Sequence, residues 1–485
     1  MRSQRRDGIL GRIGALTCDY LGTMAHDSSP AEHGLRRQLS LRDLVISQVL
    51  CVVGAGWVGV AAGLGKAETL MWIGAMVLFY LPMAASVIGL NRTMPLEGGL
   101  YVWAHRAFGN LVGFMTAWNI WFYGIAVTAA ILYQFPTELA YLIGPRAAWL
   151  PENHAAALFI VGVLVAVLTM AELRGLEIGK WIHNAGGIAM MIAFAALICL
   201  GPWAMLRHNP LQWTPLALEI PPHDLRTLAL FGQMLFGALC GLEYIAILAG
   251  ESKAPEKTIT QSVWFASPII CAMFILGTGS VVAFVPRGEI NFIAPIPQTF
   301  RMALGNAGIG NLLATTAILL VEIRLLGAVS LLMTGVSRLP LPVGWDKMIP
   351  TWFTRLHPRW KTPANSILCT SALIFLLVAM ANVGVHAQEA FQVLSNASLT
   401  HYEISYVAMF AIPLVGAAGL RRELPRWLKW TSLVGLGSTV FSLLISAYPF
   451  VDVVNPIGYA AKIVGTLAAS NLIAFTFYTL RMRRH

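Results

Sequence analysis

The sequence predicts an all-α membrane protein of twelve transmembrane helices, two of them broken. Three observations carry this prediction: apolar segments of membrane-crossing length, basic residues concentrated on one side, and glycine clusters at matching places in two spans. The residues are 57% hydrophobic and 12% charged, against about 25% charged in a soluble domain. Mean hydropathy is +0.68. Segments near the ~20 apolar residues needed to cross a bilayer lie at about 44–64, 69–90, 111–143, 155–171, 180–204 and 228–250, then at 261–285, 308–337, 365–383, 389–415, 428–449 and 456–480. These leave no room for a soluble catalytic domain, so an enzyme is not expected.

The first span carries Gly54-Ala55-Gly56 and Gly59 near its middle, and the sixth carries Gly237 and Gly241-Leu242-Glu243. Clustered glycine favours unwinding of a helix. Unwound backbone at membrane depth is tolerated only inside protein or beside a wet cavity. Matching breaks in two halves therefore point to a transporter's binding site. Five spans separate the start of one broken span from the start of the other, so the second enters the membrane in the opposite sense. This predicts an inverted five-plus-five repeat with two extra C-terminal helices. Residues 1–43 form a cytoplasmic tail, 44–415 the ten-helix transport core, and 416–485 two accessory helices with a short cytoplasmic C-terminus.

The net charge of +10 is unevenly spread. With both termini inside, 25 of the 33 Lys and Arg residues fall on cytoplasmic segments and seven outside, while Arg324 lies within a span. Such an asymmetry orients a multi-pass protein in the cell membrane, and it disfavours a nucleic-acid partner. Of the six cysteines, Cys18 is in the tail and the other five are in spans, with no metal or disulfide spacing. Neither a nucleotide-binding glycine loop nor a zinc motif stands out in the loops, so no cofactor or metal is expected. Phe292 to Leu304 is apolar, holds Pro295 and Pro297 and is too short to cross; it reads as a partial external helix.

The loops complete the pattern. Pro95-Leu96-Glu97-Gly98-Gly99-Leu100-Tyr101-Val102-Trp103 with Ala107-Phe108-Gly109 resembles the second-to-third-span signature of the amino acid, polyamine and organocation superfamily of transporters. Gly241-Leu242-Glu243 followed by Ala249 to Lys257 resembles the superfamily's sixth-span signature. Ser337-Arg338, Ile349-Pro350 and Thr362-Pro363 resemble its eighth-to-ninth loop. The resemblance implies a secondary transporter of amino acids or related amines. Two positions depart from the pattern: Trp57-Val58 stands where an Ile-Phe pair is common, and Met190 where some proton-coupled members carry lysine.

The candidate substrate site comprises Val53, Gly54, Ala55, Gly56 and Trp57 of the first span with Phe236, Gly237, Gly241 and Glu243 of the sixth. Exposed N–H groups at a half-helix N-terminus suit a substrate carboxylate, and freed carbonyls suit an ammonium. The alternative for the glycines is close helix packing. Glu243 either binds the amine, carries a coupling proton, or stays protonated on the unwound backbone. Candidate coupling or gating residues are Glu243, Glu322, Arg324, His401, Glu403 and Lys253. Glu322 and Arg324 are two apart, as are His401 and Glu403, so neither pair shares a helix face, and Arg324 needs a carboxylate from another span. Proton coupling, sodium coupling and exchange all stay open at this stage, as does a non-transporting sensor. The oligomeric state is not readable.

Overall fold

The computed structural model describes residues 52–94, 99–206, 216–242, 255–340, 349–383, 385–416 and 424–483, together with 41, 45, 48 and 49; of 176–180 and 255–259 it describes the backbone only. The N-terminal tail except Leu41, together with Glu243 and Lys253, lies outside the described residues.

The described residues form an all-helical protein. The first helix with described bounds is a half-span, α1 (Ala55–Ala62); helical residues at 48, 49 and 52 precede it. A turn at Gly63–Leu64 leads into α2, the Gly65–Thr93 span, which carries a π turn at Met76–Tyr80. Next come α3 (Leu100–Phe108) and α4 (Asn110–Ile143). They are joined by Gly109 at φ +86, a left-handed corner that suits glycine. Then follow α5 (His154–Arg174), α6 (Leu176–Leu206) and α7 (Leu225–Gly232), the last running into a π turn at Gln233–Ala238. Asp224 caps α7 by accepting from the Thr227 N–H. That bond holds its carboxyl below the usual carboxylate range. The remaining helices are α8 (Pro255–Phe284), α9 (Pro295–Leu304), α10 (Gly308–Arg338), α11 (Thr351–Thr354), α12 (Ala364–Ala381), α13 (Ala387–Val415), α14 (Arg426–Ile445) and α15 (Pro456–Met482).

Among the described residues, nine helices are long and apolar enough to cross a membrane. They correspond to nine of the twelve expected spans, with ends shifted by a few residues. Of the other three, α1 and α7 are interrupted. The third, α13, is one continuous helix but carries Glu389, Gln392, Asn396, His401 and Glu403, all buried. A helix this polar inside a membrane protein must face protein rather than lipid.

The core is built around α4 and α13, which pack along each other. Helices α6 and α10 cross at Gly186 and Gly327, where a Cβ on either would stand 2.7 Å from the other's Cα. Small residues permit this backbone approach. Helix α15 is tied to α4 by the reciprocal amides of Asn119 and Asn471, at 2.8 and 3.1 Å, and by Trp118 Nε1 donating to Ser470 at 3.0 Å.

Helix α9 is the short helix expected within Phe292 to Leu304. Its Pro295 ring lies over Gly59 of α1, where an added Cβ would meet it at 2.6 Å. Its Arg301 donates to the Tyr141 and Leu142 carbonyls at 2.9 and 3.0 Å, and to Asn311 and Thr315. The guanidinium thus satisfies carbonyls that the end of α4 leaves open.

Candidate functional site

The chain unwinds where the glycines stand. Val53 and Gly54 are non-helical, and Gly54 is extended at φ −99, ψ 134 before α1 begins. The N–H groups of the first turn of α1, starting at Ala55 and Gly56, have no carbonyl ahead of them in the helix. In the sixth span the π turn ends at Ala238, and Gly241 takes φ +105, a left-handed conformation that favours glycine. The freed Gly241 N–H donates to Tyr406 Oη of α13 at 3.0 Å.

One side chain spans both breaks. A Cβ on Gly54 would lie 2.6 Å from Cδ1 of the Trp57 indole, and one on Gly237 would lie 2.4 Å from its Cη2. The half-buried indole therefore occupies the gap between the two interrupted helices, with bare glycine at each end. The third side of the gap is Gln134 of α4, whose Nε2 would sit 3.6 Å from a Cβ on Gly56. Phe236 lies in a buried aromatic group, with its ring 4.9 Å from Tyr406, 5.8 Å from Tyr402 and 5.1 Å from Phe79. Tyr402 in turn stacks on Tyr123 of α4 at 4.0 Å.

One helical turn beyond Gln134, on the same face of α4, stands Glu138. It is the partner that Arg324 required: Arg324 Nη2 lies 3.9 Å from Glu138 Oε1, a charge contact slightly too long for a hydrogen bond. Glu322 is close enough to feel both charges. All three side chains are buried, and neither Glu322 oxygen has a hydrogen-bond partner among the described residues. Glu138 was missed in reading the sequence, although it is the sole charged residue of its span and the rule that flagged Glu322 applies to it equally.

The other candidates lie on α13. His401 is fully buried, stacks on Phe122 of α4 at 4.1 Å, and places Nδ1 2.7 Å from the Ala397 carbonyl, to which it donates. Glu403 contacts Ser442 of α14. A separate cavity of about 340 Å³ opens beyond the end of α1, lined by Gly65, Lys66, Glu219, Pro221 and Arg287 among others. Arg287 Nε donates there to the Gly63 carbonyl at 2.7 Å. No group of three or more potential metal ligands occurs among the described residues.

The chain resembles proteins that differ in cargo. It is 26% identical to an uncharacterized transporter of Legionella pneumophila, covering 84% of this chain and 86% of the relative. It is 24% identical to a probable agmatine/putrescine antiporter of Lactococcus lactis, over 77% of this chain and 78% of the relative. With a serine/threonine exchanger of Bacillus subtilis it shares 22% identity, over 72% and 78%. The crystal structure of MhsT in complex with L-phenylalanine matches with a TM-score of 0.58 at 12% identity, covering 85% of this chain and 99% of that one. At that identity the likeness is one of fold. A family model described as amino acid permease matches residues 38–477. The chain belongs to the amino acid permease family of multi-pass membrane transporters, within the amino acid, polyamine and organocation superfamily.

Proposed function

We propose that this protein is a secondary active transporter that moves amino acids across the cell membrane by alternating access, coupled to protons or working as an exchanger. The observation that carries the proposal is the meeting of two interrupted helices on one side chain, Trp57. In this reading the chain has twelve transmembrane helices in an inverted five-plus-five repeat, with α14 and α15 as the two extra helices and both termini cytoplasmic. The binding site runs from Val53 to Trp57 and over Phe236, Gly237 and Gly241 to Glu243. The α1 N-terminus takes the substrate carboxylate, because its N–H groups carry positive partial charge. Glu243 serves the amine or a proton. The cavity beside Lys66 and Arg287 is then the outer vestibule.

A polyamine or other organic amine is the alternative cargo, favoured by the likeness to the agmatine/putrescine antiporter and by the buried carboxylates Glu138 and Glu322. Uptake into proteoliposomes, with an amino acid and polyamine panel and separately imposed pH and sodium gradients, decides between them. If no compound moves under any gradient and none raises the melting temperature, the transport reading fails and the sensor reading takes its place.

Two substitutions test the site directly. Gly54→Val is expected to abolish binding of the preferred substrate, since even its Cβ would stand 2.6 Å from the Trp57 ring. Gly56→Val should do the same by pressing its methyls on Gln134. Unchanged affinity in both would move the pocket elsewhere. Glu243→Gln is expected to abolish transport or flatten its pH dependence while the protein still folds. Wild-type kinetics at every pH would remove Glu243 from the mechanism.

A further inference from the structure

Ser442 of α14 lies between two oxygen atoms that both accept hydrogen bonds. Its Oγ is 2.9 Å from the Gly232 carbonyl of α7 and 2.5 Å from Glu403 Oε1 of α13. All three groups are buried. A hydroxyl carries one hydrogen and can direct it fully to only one acceptor. If Glu403 were an anion, two acceptors would share that hydrogen, and a buried carbonyl or carboxylate would be left short. The other carboxyl oxygen, Oε2, has no hydrogen-bond partner among the described residues. An ionised carboxylate would therefore bury a charge with one oxygen bare, which is strongly unfavourable. One added proton removes both the charge and the competition for the hydrogen: the Glu403 hydroxyl donates to Ser442, and Ser442 donates to Gly232.

The far end of this chain is the joint of the sixth span. Gly232 is the last α-helical residue of α7, directly before the π turn that leads to the break. Helix α14 comes close there because Gly232 has no side chain: a Cβ would meet Ile445 at 2.5 Å. A second tie sits beside the first. Gln233 Nε2 donates to Asn396 Oδ1 at 2.5 Å, and Asn396 donates to the Ser446 carbonyl and to Tyr459 Oη. The joint is thus fastened to α13, α14 and α15. Of the two ties, the Gln233–Asn396 one holds no carboxyl and does not depend on a proton.

We propose that Glu403 is a proton-binding site whose proton latches the outer half of the sixth span to α14 through Ser442. When the proton leaves for water on the open side, the Glu403 carboxylate takes the Ser442 hydrogen and the Gly232 carbonyl loses its bond from Ser442. The joint beside the π turn is then held by the Gln233–Asn396 tie alone and opens more readily. Glu403 acts as a positioning residue, since it reaches the helix that forms the site only through Ser442 and does not touch the site itself. The elements packed around α13 carry these titratable groups: Lys66, Glu68, Tyr80 and Arg92 on α2; Tyr101, His105 and Arg106 on α3; Tyr123, Tyr133, Glu138 and Tyr141 on α4; Cys369 on α12; Arg426 and Lys429 on α14; and Tyr459, Lys462, Tyr478 and Arg481 on α15, with Arg483 just past its end. The π turn itself carries none, and on α13 the nearest are His401, Tyr402 and Tyr406. What acts on the Glu403 carboxyl is its burial and the Ser442 hydrogen bond.

The proposal deepens the proton-coupled version of the transport reading, but its test needs no substrate. Infrared spectra of the full-length protein in nanodiscs should show, near neutral pH, a protonated-carboxyl C=O band that is missing in Glu403→Gln. Hydrogen exchange of the peptide covering 225–238, normalised to intrinsic rates, should lose about fivefold in protection as pH rises, the ratio expected for one net hydrogen bond. Glu403→Gln keeps a donor for Ser442 and should hold the protected value at every pH. Ser442→Ala, a small change checked by its elution and melting profiles, should show the unprotected value at every pH. A Glu403 band absent at neutral pH, or the same pH profile in wild type and both variants, overturns the latch. Absence of uptake in proteoliposomes, with the band and the exchange profile as expected, would instead count against transport alone.

Discussion

Arg324→Leu is expected to lower stability by about 3 kcal/mol, the lower end of the range for breaking a buried ion pair. Among the described residues the guanidinium is the cation placed at Glu138, and its removal leaves two buried, mutually repelling carboxyls without compensation. The lower end applies because each carboxyl left behind can take up a proton. The penalty should accordingly shrink as pH falls, since protonation removes the repulsion. Glu138→Gln in the Arg324→Leu background should recover part of the loss, while Glu138→Gln alone leaves Arg324 beside Glu322 and should cost less than Arg324→Leu. Thermal unfolding in one detergent, measured across pH for the two single variants and the double, gives the coupling. Additive losses, or a loss independent of pH, would show that the three side chains do not act as one electrostatic unit.

Trp57→Ala is expected to redirect specificity. The indole fills the space between Gly54 and Gly237, and its removal opens that space to substrate. Binding of the preferred substrate should weaken roughly 10- to 100-fold, about 1.4–2.8 kcal/mol, while bulkier amino acids or amines gain. A hydrophobic contact of this size normally discriminates by about that much. The geometry offers an internal control. Gly237→Ala should be poorly tolerated alone, because its Cβ would stand 2.4 Å from the Trp57 ring, and well tolerated when combined with Trp57→Ala. Equal effects of Gly237→Ala in both backgrounds would mean that the indole does not rest on Gly237.

The breaks were readable because glycine acts on its own backbone. Gly54 and Gly241 each stand where the chain leaves the helix, and Gly241 adopts a φ of +105 that other residues rarely hold. The short helix α9 is readable from Pro295, which starts a helix and cannot continue one. Helix α13 was readable as a span despite its polarity, but not the reason for that polarity. His401 stacks on α4, Glu403 meets α14, and Asn396 meets the π turn and α15, and a one-dimensional pattern does not say which helices will surround it. Glu138 shows a different kind of loss. The residue was visible, but its meaning depended on Arg324, and two residues so far apart in the chain are joined only when α4 and α10 pack.

The sequence by itself determined that this is an all-α membrane protein, where most of its spans begin and end, where two of them unwind, and which transporter family it belongs to. Hydropathy, proline and glycine exert these effects over a few residues, so the linear order is enough. The tertiary structure decided that Trp57 would bridge both breaks, that Arg324 would lie against Glu138, and that Ser442 would stand between Glu403 and Gly232. Each of these depends on how a helix is rotated about its axis and how closely its neighbour approaches. Those quantities are set by side-chain packing among all the helices at once.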